Sequence, residues 1–255
     1  MDFSGRLIIV TGGASGMGAA TAELLRTLGA EVAILDRNAE LADDVAHRSG
    51  AHAYCTDIGD EAAVVRAYEA IDRELGPVYG LFSNAGIILS ELPLHEERSG
   101  TWDEVIRVNL RGTFLAVREA VKRFVAQGSP GAIVCTSSCV ARQAIPGGTN
   151  AYTASKGAIE AFVRQVAVDY AALRIRINAV APGAIETPLM WGNIPPEGIA
   201  EMRKLIDRDV PQGRIGQPID IAHAVAWLLS EEADYVNGSS IVVDGGVGAR
   251  SVLSA

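Results

Sequence analysis

The 255-residue chain is short of the residues from which several kinds of protein are built. Its three cysteines, Cys55, Cys135 and Cys139, are an odd number without a CxxC pair. They suit reduced, packed thiols better than a disulfide framework or a zinc centre. Histidine is equally scarce: His47, His52, His95 and His223 are scattered, with no HExxH, and GxSxG is missing too. No metal site is expected, and zinc peptidase and serine hydrolase chemistry lose their signatures. Positive charge is also in short supply. A net charge of −9 argues against nucleic acid or an anionic membrane as partner, since both need clustered Lys and Arg. The opening MDFSGRLIIV has an acidic second residue and only a short apolar stretch before glycines. Neither a signal peptide nor a spanning helix is expected, and the chain reads as cytoplasmic.

Small and aliphatic residues dominate: 49% of the chain is hydrophobic, aromatics supply only 5%, and there are 27 glycines. That mixture, at this length, suits an α/β protein with a full core and tight turns. Short apolar runs alternate with helical patterns. RLIIVTGG, EVAILDR, AHAYCTDI, VYGLFSNAG, GAIVCTSS, IRINAVAPG and SSIVVDGG read as strands. Helical periodicity falls in GMGAATAELLRTLGA and at about 39–48, 60–75, 102–126 and 151–173. Strands that are apolar throughout belong to a parallel sheet covered on both faces. The expectation is therefore a doubly wound, Rossmann-like parallel sheet of about seven strands with helices on both faces. One domain is expected over 1–255, with a lid at about 187–213, where WGNIPPEG interrupts the alternation.

Open parallel sheets bind ligands outside the carboxyl ends of their strands. The first such end, TGGASGMG, places Gly12, Gly16 and Gly18 between a strand and a helix, where a missing Cβ lets the backbone approach a pyrophosphate. Asp36 ends the second strand, 18 residues after Gly18, where a carboxylate can accept both hydroxyls of an adenosine ribose. Turn and acid together favour dinucleotide binding over a purely structural turn. In AYTASKGAIE, Tyr152 and Lys156 are one helical turn apart and share a face. Taken alone, that pair favours an ordinary amphipathic helix with a solvated lysine.

Taken together, these stretches resemble the short-chain dehydrogenase/reductase family over nearly the whole chain. TGGASGMG is similar to its TGxxxGxG, Asn84-Ala85-Gly86 to its NAG and YTASK to its YxxxK, with Asn109, Ser138 and Pro182-Gly183 following in the expected order. The resemblance implies a nicotinamide-dependent oxidoreductase acting on a small alcohol or ketone, with Asn109, Ser138, Tyr152 and Lys156 as its catalytic tetrad. It implies cofactor contacts from Gly12, Ser15, Gly16, Met17, Gly18, Asp36 and Arg37, from Asp57 and Ile58 beside the adenine, and from Asn84, Ala85 and Gly86. Tyr152 and Lys156 would hold the nicotinamide ribose, and Pro182, Gly183, Ile185 and Thr187 its carboxamide side. A homotetramer through the helices at 102–126 and 151–173 is a further implication; Val105, Phe114, Val117, Val121, Phe162 and Val166 exceed one sheet-facing stripe. An enoyl reductase of the same fold would separate Tyr and Lys by seven residues instead of four. A non-catalytic dinucleotide sensor or scaffold is the alternative class, and it would have lost the Tyr, the Lys or a glycine.

The chemistry asks for the same groups. Moving a hydride between carbon and nicotinamide leaves a proton to be exchanged with oxygen, so a group titrating near neutrality must touch that oxygen. Tyrosine's pKa of about 10 is too high by roughly three units, or about 4 kcal/mol. An ammonium about 5 Å away at an effective dielectric of about 20 returns roughly 3 kcal/mol. Lys156 is thus expected to supply most of the shift. Ser138 is expected to hold the substrate oxygen, although neighbouring Ser137 would serve if the strand pointed it inward; alternation lets only one of them do so. Asp36 would repel a 2′-phosphate, so NAD is expected over NADP, while Arg37 could pair with such a phosphate. Cys139, Val140, Arg142, Ile145, Pro146, His95, Leu189 and Trp191 are candidates to line the substrate pocket, Arg142 being the one anion partner among them.

Overall fold

The computed structural model describes residues 1–89, 92–144, 149–192 and 194–250. Seven parallel strands form one sheet: β1 (Leu7–Thr11), β2 (Glu31–Asp36), β3 (His52–Cys55), β4 (Val78–Ser83), β5 (Gly131–Thr136), β6 (Ile175–Pro182) and β7 (Ser240–Val243), in the order β3-β2-β1-β4-β5-β6-β7. Strands β1, β5 and β6 are buried along their whole length, because helices cover both faces, whereas the edge strands β3 and β7 are only partly covered.

On one face lie α1 (Gly16–Thr27), α2 (Ala39–Ser49) and α9 (Pro218–Leu229), packed over Ile8, Val10, Ile34, Phe82 and Val134. On the other lie α3 (Glu61–Leu75), α5 (Gly112–Gln127) and α6 (Asn150–Tyr170), over Leu81, Ile133, Ile177 and Ala179. Between the two groups the chain reverses direction across the sheet at β1 and β4, and the crevice so formed is where ligands of such sheets sit. Polar side chains inside β6 are satisfied: Arg176 donates to the carbonyls of Leu228 (2.8 Å) and Ser230 (2.9 Å), closing the end of α9.

Three stretches differ from the sequence reading. The helix expected over 102–126 is α4 (Ser99–Val105), a π-helical stretch Ile106–Arg111 and then α5. The widened turn carries Asn109, whose side chain bonds both the N–H (2.8 Å) and the carbonyl (3.0 Å) of Ile87, while the Thr113 hydroxyl takes the Asn109 carbonyl at 2.7 Å. The stretch 187–213 contains α7 (Pro188–Trp191) and α8 (Pro196–Asp209); the prolines that break the pattern stand in the first turns of these helices, where a missing N–H costs nothing. Helix α9, unread in the sequence, starts the same way at Pro218, with the Asp220 carboxylate accepting from the Gln217 N–H at 2.7 Å.

Two aspartates, Asp57 and Asp60, precede α3. The cap is Asp60, whose carboxylate accepts from the N–H groups of Ala62 (2.9 Å) and Ala63 (3.3 Å). Asp57 instead accepts from Gly59 N–H at 2.8 Å and pairs with Arg107 at 3.0 Å, which leaves it beside the crevice. Asp60→Ala is expected to cost about 1 kcal/mol, read as a lower urea midpoint with an unchanged denaturant slope.

Candidate active site

The turn from β1 to α1 is built so tightly that two of its glycines have no room for a side chain. A Cβ on Gly18 would stand 2.1 Å from the Gly12 carbonyl oxygen, and one on Gly12 would stand 2.8 Å from the Ala85 Cα. Gly12 and Gly16 also adopt φ of +64° and +53°, a region that favours glycine. The NAG segment clamps this turn: Asn84 Nδ2 donates to the Gly12 carbonyl (3.2 Å), and the Thr11 hydroxyl accepts from the N–H groups of Asn84 (2.9 Å) and Ala85 (3.1 Å).

Asp36 closes the other side of the turn, one oxygen accepting from Ala14 N–H (3.1 Å) and the other from Asn38 N–H (3.0 Å). Helix α1 starts at Ser15, whose hydroxyl makes no capping bond, and its first turn holds no acidic residue. No acidic side chain of the helix's own first turn occupies the positive end of its dipole, which fits a pyrophosphate there.

A cleft of about 400 Å³ opens over these groups. From the turn it is lined by Gly12, Ser15, Gly16 and Met17; from the ends of β2 and β3 by Asp36, Arg37, Asp57 and Ile58; from the NAG segment by Asn84, Ala85 and Gly86; and across from them by Thr187. The residues present fit a dinucleotide. Six expected contacts do not line the cleft: Tyr152 and Lys156 stand next to it, and four others are packed away from it. Gly18 packs against the Gly12 carbonyl, Pro182 is buried at the end of β6, Gly183 lies where a Cβ would meet the Asp244 Cβ at 2.7 Å, and the Ile185 side chain belongs to the core, which leaves its backbone as the part expected to reach the carboxamide. Thr187 caps α7 through Met190 N–H (3.3 Å) and donates to the Ile185 carbonyl (3.3 Å), setting the stretch 183–187 beside Gly16, whose added Cβ would lie 3.1 Å from the Thr187 methyl.

The four tetrad candidates come together next to the cleft at Gly86, where an added Cβ would lie 3.5 Å from Asn109 Oδ1 and 3.6 Å from Lys156 Nζ. Asn109 is fully buried; besides Ile87 it reaches the Ser155 hydroxyl at 3.2 Å. Lys156, 2% exposed, donates to the Thr136 carbonyl at 2.7 Å, with Nζ 5.4 Å from the centre of the Tyr152 ring. The two serines are now told apart. The Ser138 hydroxyl lies beside the Tyr152 phenol and acts to lower its pKa, whereas Ser137 turns away to the Lys156 carbonyl (3.3 Å) and the Glu160 carboxylate (3.2 Å).

In the free protein the charge balance differs from that expected of an ammonium lowering a phenol. Burial pushes the Tyr152 phenol up to about 12, against the lowering effect of the Ser138 hydroxyl, and burial pulls the Lys156 ammonium down to about 8. Desolvation disfavours both charged forms at once, and it is the largest cause of each shift.

Among the candidates for the substrate pocket, Leu189 lines the cleft together with Ile87 and Ile88. Cys139 is half-buried and Val140 buried behind Ser138, in the three-ten turn Cys139–Ala141. His95 is 80% exposed beside Glu96 and faces solvent. Trp191 is occupied elsewhere: its indole N–H donates to Glu186 at 2.7 Å, with the Arg203 guanidinium over its ring. Arg142 pairs with Glu160 at 3.1 Å, so its charge already has a partner inside the protein. Ile145 and Pro146 lie outside the described residues. Glu160 and Glu186 went unnoticed in the sequence, although Glu160 stands four residues beyond Lys156 on the same helical face.

Comparison with known proteins agrees with this geometry. A family model described as enoyl-(acyl carrier protein) reductase matches residues 12–248. The chain is 41% identical over 249 residues to a cis-4-hydroxycyclohexanecarboxylate dehydrogenase of Sinomonas cyclohexanicum, covering 96% of this chain and 97% of that one. The crystal structure of levodione reductase superposes with a TM-score of 0.93 at 34% identity, over 98% of this chain and 100% of the other. A 3-ketoacyl-(acyl-carrier-protein) reductase from Brucella melitensis, solved with NADH, does so with a TM-score of 0.89 at 32% identity, over 96% and 99%. The chain belongs to the short-chain dehydrogenase/reductase family and is an oxidoreductase that interconverts secondary alcohols and ketones with a nicotinamide dinucleotide.

Proposed function

We propose that the protein uses NAD to oxidise a secondary alcohol carried on a small ring, or to reduce the matching ketone, with Tyr152 as the group that exchanges the proton. The observation that carries this reading is the convergence of the Ser138 and Tyr152 hydroxyls beside the buried Lys156. The cyclohexane alcohol of the Sinomonas relative and the aliphatic Ile87, Ile88 and Leu189 support the ring.

Ser138 holds the substrate oxygen by donating to it, Tyr152 takes or gives the proton at that same oxygen, and Lys156 bears on the phenol as the nearby cation. When bound, the dinucleotide accepts or gives the hydride and, when oxidised, adds a positive ring next to the phenol. Asn109 holds the Ile87 backbone and Ser155 in place behind the lysine. The stretch 187–213, with α7 and α8, serves as the lid of one domain over 1–255. A four-residue Tyr–Lys spacing supports carbonyl chemistry over enoyl reduction, and the intact pair supports an enzyme over a sensor.

Asp36 supports NAD. A 2′-phosphate carries about −1.5 to −2 charge, and the two Asp36 oxygens already hold backbone N–H groups, which keeps the carboxylate in the cleft wall at the end of β2. At about 5 Å and an effective dielectric of about 20 the repulsion is several kcal/mol before screening. A net preference of roughly 2 to 3 kcal/mol is expected, about thirtyfold or more in kcat/KM. Asp36→Ala is expected to collapse that ratio, and equal use of NADP by the unmodified enzyme would show that Asp36 does not face the ribose.

Assembly as a homotetramer rests on a different residue set from the one read in the sequence. Val105, Val117, Val121 and Val166 are spent in the core of the subunit itself. Phe114 and Phe162 meet edge to face at 6.4 Å, and together with exposed Val125, Val168 and Leu173 they leave α5 and α6 with an outward apolar face. Tyr235, Ile219 and Val242 form a second exposed group near α9 and β7. Light scattering is expected to give four subunits, and Val168→Glu with Phe114→Glu to reduce that number.

Tyr152→Phe is expected to lower turnover by roughly 10²- to 10⁴-fold while NAD binding, followed by fluorescence quenching, stays nearly unchanged. Because burial holds the free phenol high, the base form is scarce at neutral pH. Alcohol oxidation should therefore rise steadily between about pH 7 and about pH 10, whereas ketone reduction, which needs the phenol, should not rise over the same range. A flat oxidation profile would remove Tyr152 from this role.

A further inference from the structure

Ser138 and Tyr152 stand on different elements, one just past the end of β5 and the other in the first turn of α6. Their hydroxyls serve one substrate oxygen only if those two elements keep a fixed offset, and a misplacement of about 1 Å can cost about a hundredfold in rate. The contacts that set this offset converge on a carboxylate that the chemistry does not otherwise use.

Glu160 is 7% exposed and one turn beyond Lys156 on α6. Its Oε1 accepts from the Ser137 hydroxyl (3.2 Å) and from the Ser240 hydroxyl at the start of β7 (2.7 Å). Its Oε2 accepts from Arg142 Nε (3.1 Å), on the residue that ends the three-ten turn after Ser138. Ser137 also reaches the Lys156 carbonyl at 3.3 Å. The segment on each side of Ser138 is thus bound to the same side chain, and that side chain is carried by the helix of Tyr152 and Lys156. A carboxylate this deeply buried needs charged and hydroxyl donors to remain there, and it has three. Were Ser137 unanchored, the strand end could turn either serine toward the phenol.

We propose that Glu160 is a positioning residue for the reaction, fixing Ser137 and Arg142 so that the Ser138 hydroxyl stays on the oxygen served by Tyr152. The inference rests on the roles given to Ser138 and Tyr152 above. It also explains why Arg142 is not free to receive an anionic substrate: its charge is committed to holding the loop.

The test is a double-mutant cycle of Glu160→Gln with Ser138→Ala, using NAD and a panel of ring alcohols, with Tyr152→Phe as control. Glu160→Gln is expected to lower kcat about tenfold while the KM for alcohol and the NAD dissociation constant stay within about threefold, because the reacting groups are misplaced rather than lost. In the Ser138→Ala background the same change is expected to cost less than about twofold, since its effect passes through Ser138. Glu160→Ala, which offers no acceptor, is expected to be worse than Glu160→Gln.

Unchanged kcat in Glu160→Gln, or an undiminished tenfold loss in the Ser138→Ala background, would overturn the proposal. Should Glu160→Gln not fold, Ser137→Ala decides: a kcat reduced about threefold with unchanged NAD affinity supports the proposal, and a wild-type kcat refutes it. A Tyr152→Phe variant with wild-type turnover would strike the reading of the reaction itself, whereas an inactive Tyr152→Phe beside a fully active Glu160→Gln would strike this inference alone.

Discussion

The bond from the Lys156 ammonium to the Thr136 carbonyl is the contact on which the rest of the site depends. A cation that is 2% exposed must find an acceptor inside the protein, and at 2.7 Å it finds the last carbonyl of β5. That choice fixes where α6 crosses the sheet. Once α6 is fixed, Tyr152 lies one turn above Lys156, Glu160 one turn below, and the Ser137–Ser138 pair is caught between them. Asn109 closes the remaining side by bonding Ile87 and Ser155, which is why the helix that carries it widens to a π turn there. The strand end, the helix and the π turn are therefore one object, and a change in any of them moves the phenol.

The cleft is organised by a separate constraint, the approach of two backbones that leaves no space for a Cβ at Gly12 or Gly18. Through Thr11 and Asn84 this approach locks β1 to β4, the two strands at which the sheet changes winding direction. The two constraints meet at Gly86, which touches the cleft on one side and comes near Asn109 and Lys156 on the other. The backbone from Asn84 to Ile87 thus joins the wall of the cleft directly to the side chains around Lys156.

Much of this could be read in the sequence because the relevant signals are local. The seven strands are continuous apolar runs, the glycines mark a turn that tolerates nothing larger, and Tyr152 and Lys156 share a helical face whatever surrounds them. What escaped was set by contacts distant in the chain. The resemblance places Asn109 in the tetrad, but the sequence does not show what holds it, because its partners, Ile87 and Ser155, lie 22 and 46 residues away. Arg142 looked free because its partner Glu160 is 18 residues on. Helix α8 hid behind its prolines and Gly198, residues that count against a helix except in its first turn. The four valines assigned to an interface were absorbed by the core, since periodicity shows that a face is apolar but not what covers it.

The two shifted groups also show what the site costs the fold. Lys156 titrates near 8 in the folded protein against 10.5 in the open chain, a difference of about 3 kcal/mol. Below about pH 8 both states carry the charge and the burial penalty is present in full; from there to about 10.5 the unfolded chain binds the proton that the folded chain has released, so stability rises with pH. Tyr152 acts in the opposite sense above about pH 10, where the unfolded chain ionises first and stability falls. A hydrophobic residue at 156 would remove the lysine's penalty at neutral pH. The sequence keeps a lysine there, beside a thiol, Cys135, that burial also holds up at about 12 and hence uncharged. The ammonium is left facing one carbonyl and one phenol, with no carboxylate among the groups that perturb it. A cation kept this poorly solvated acts on any neighbour that can become an anion, and of the two beside it Cys135 is fully buried while Tyr152 is only part-buried, so the phenol is the one a substrate oxygen can meet.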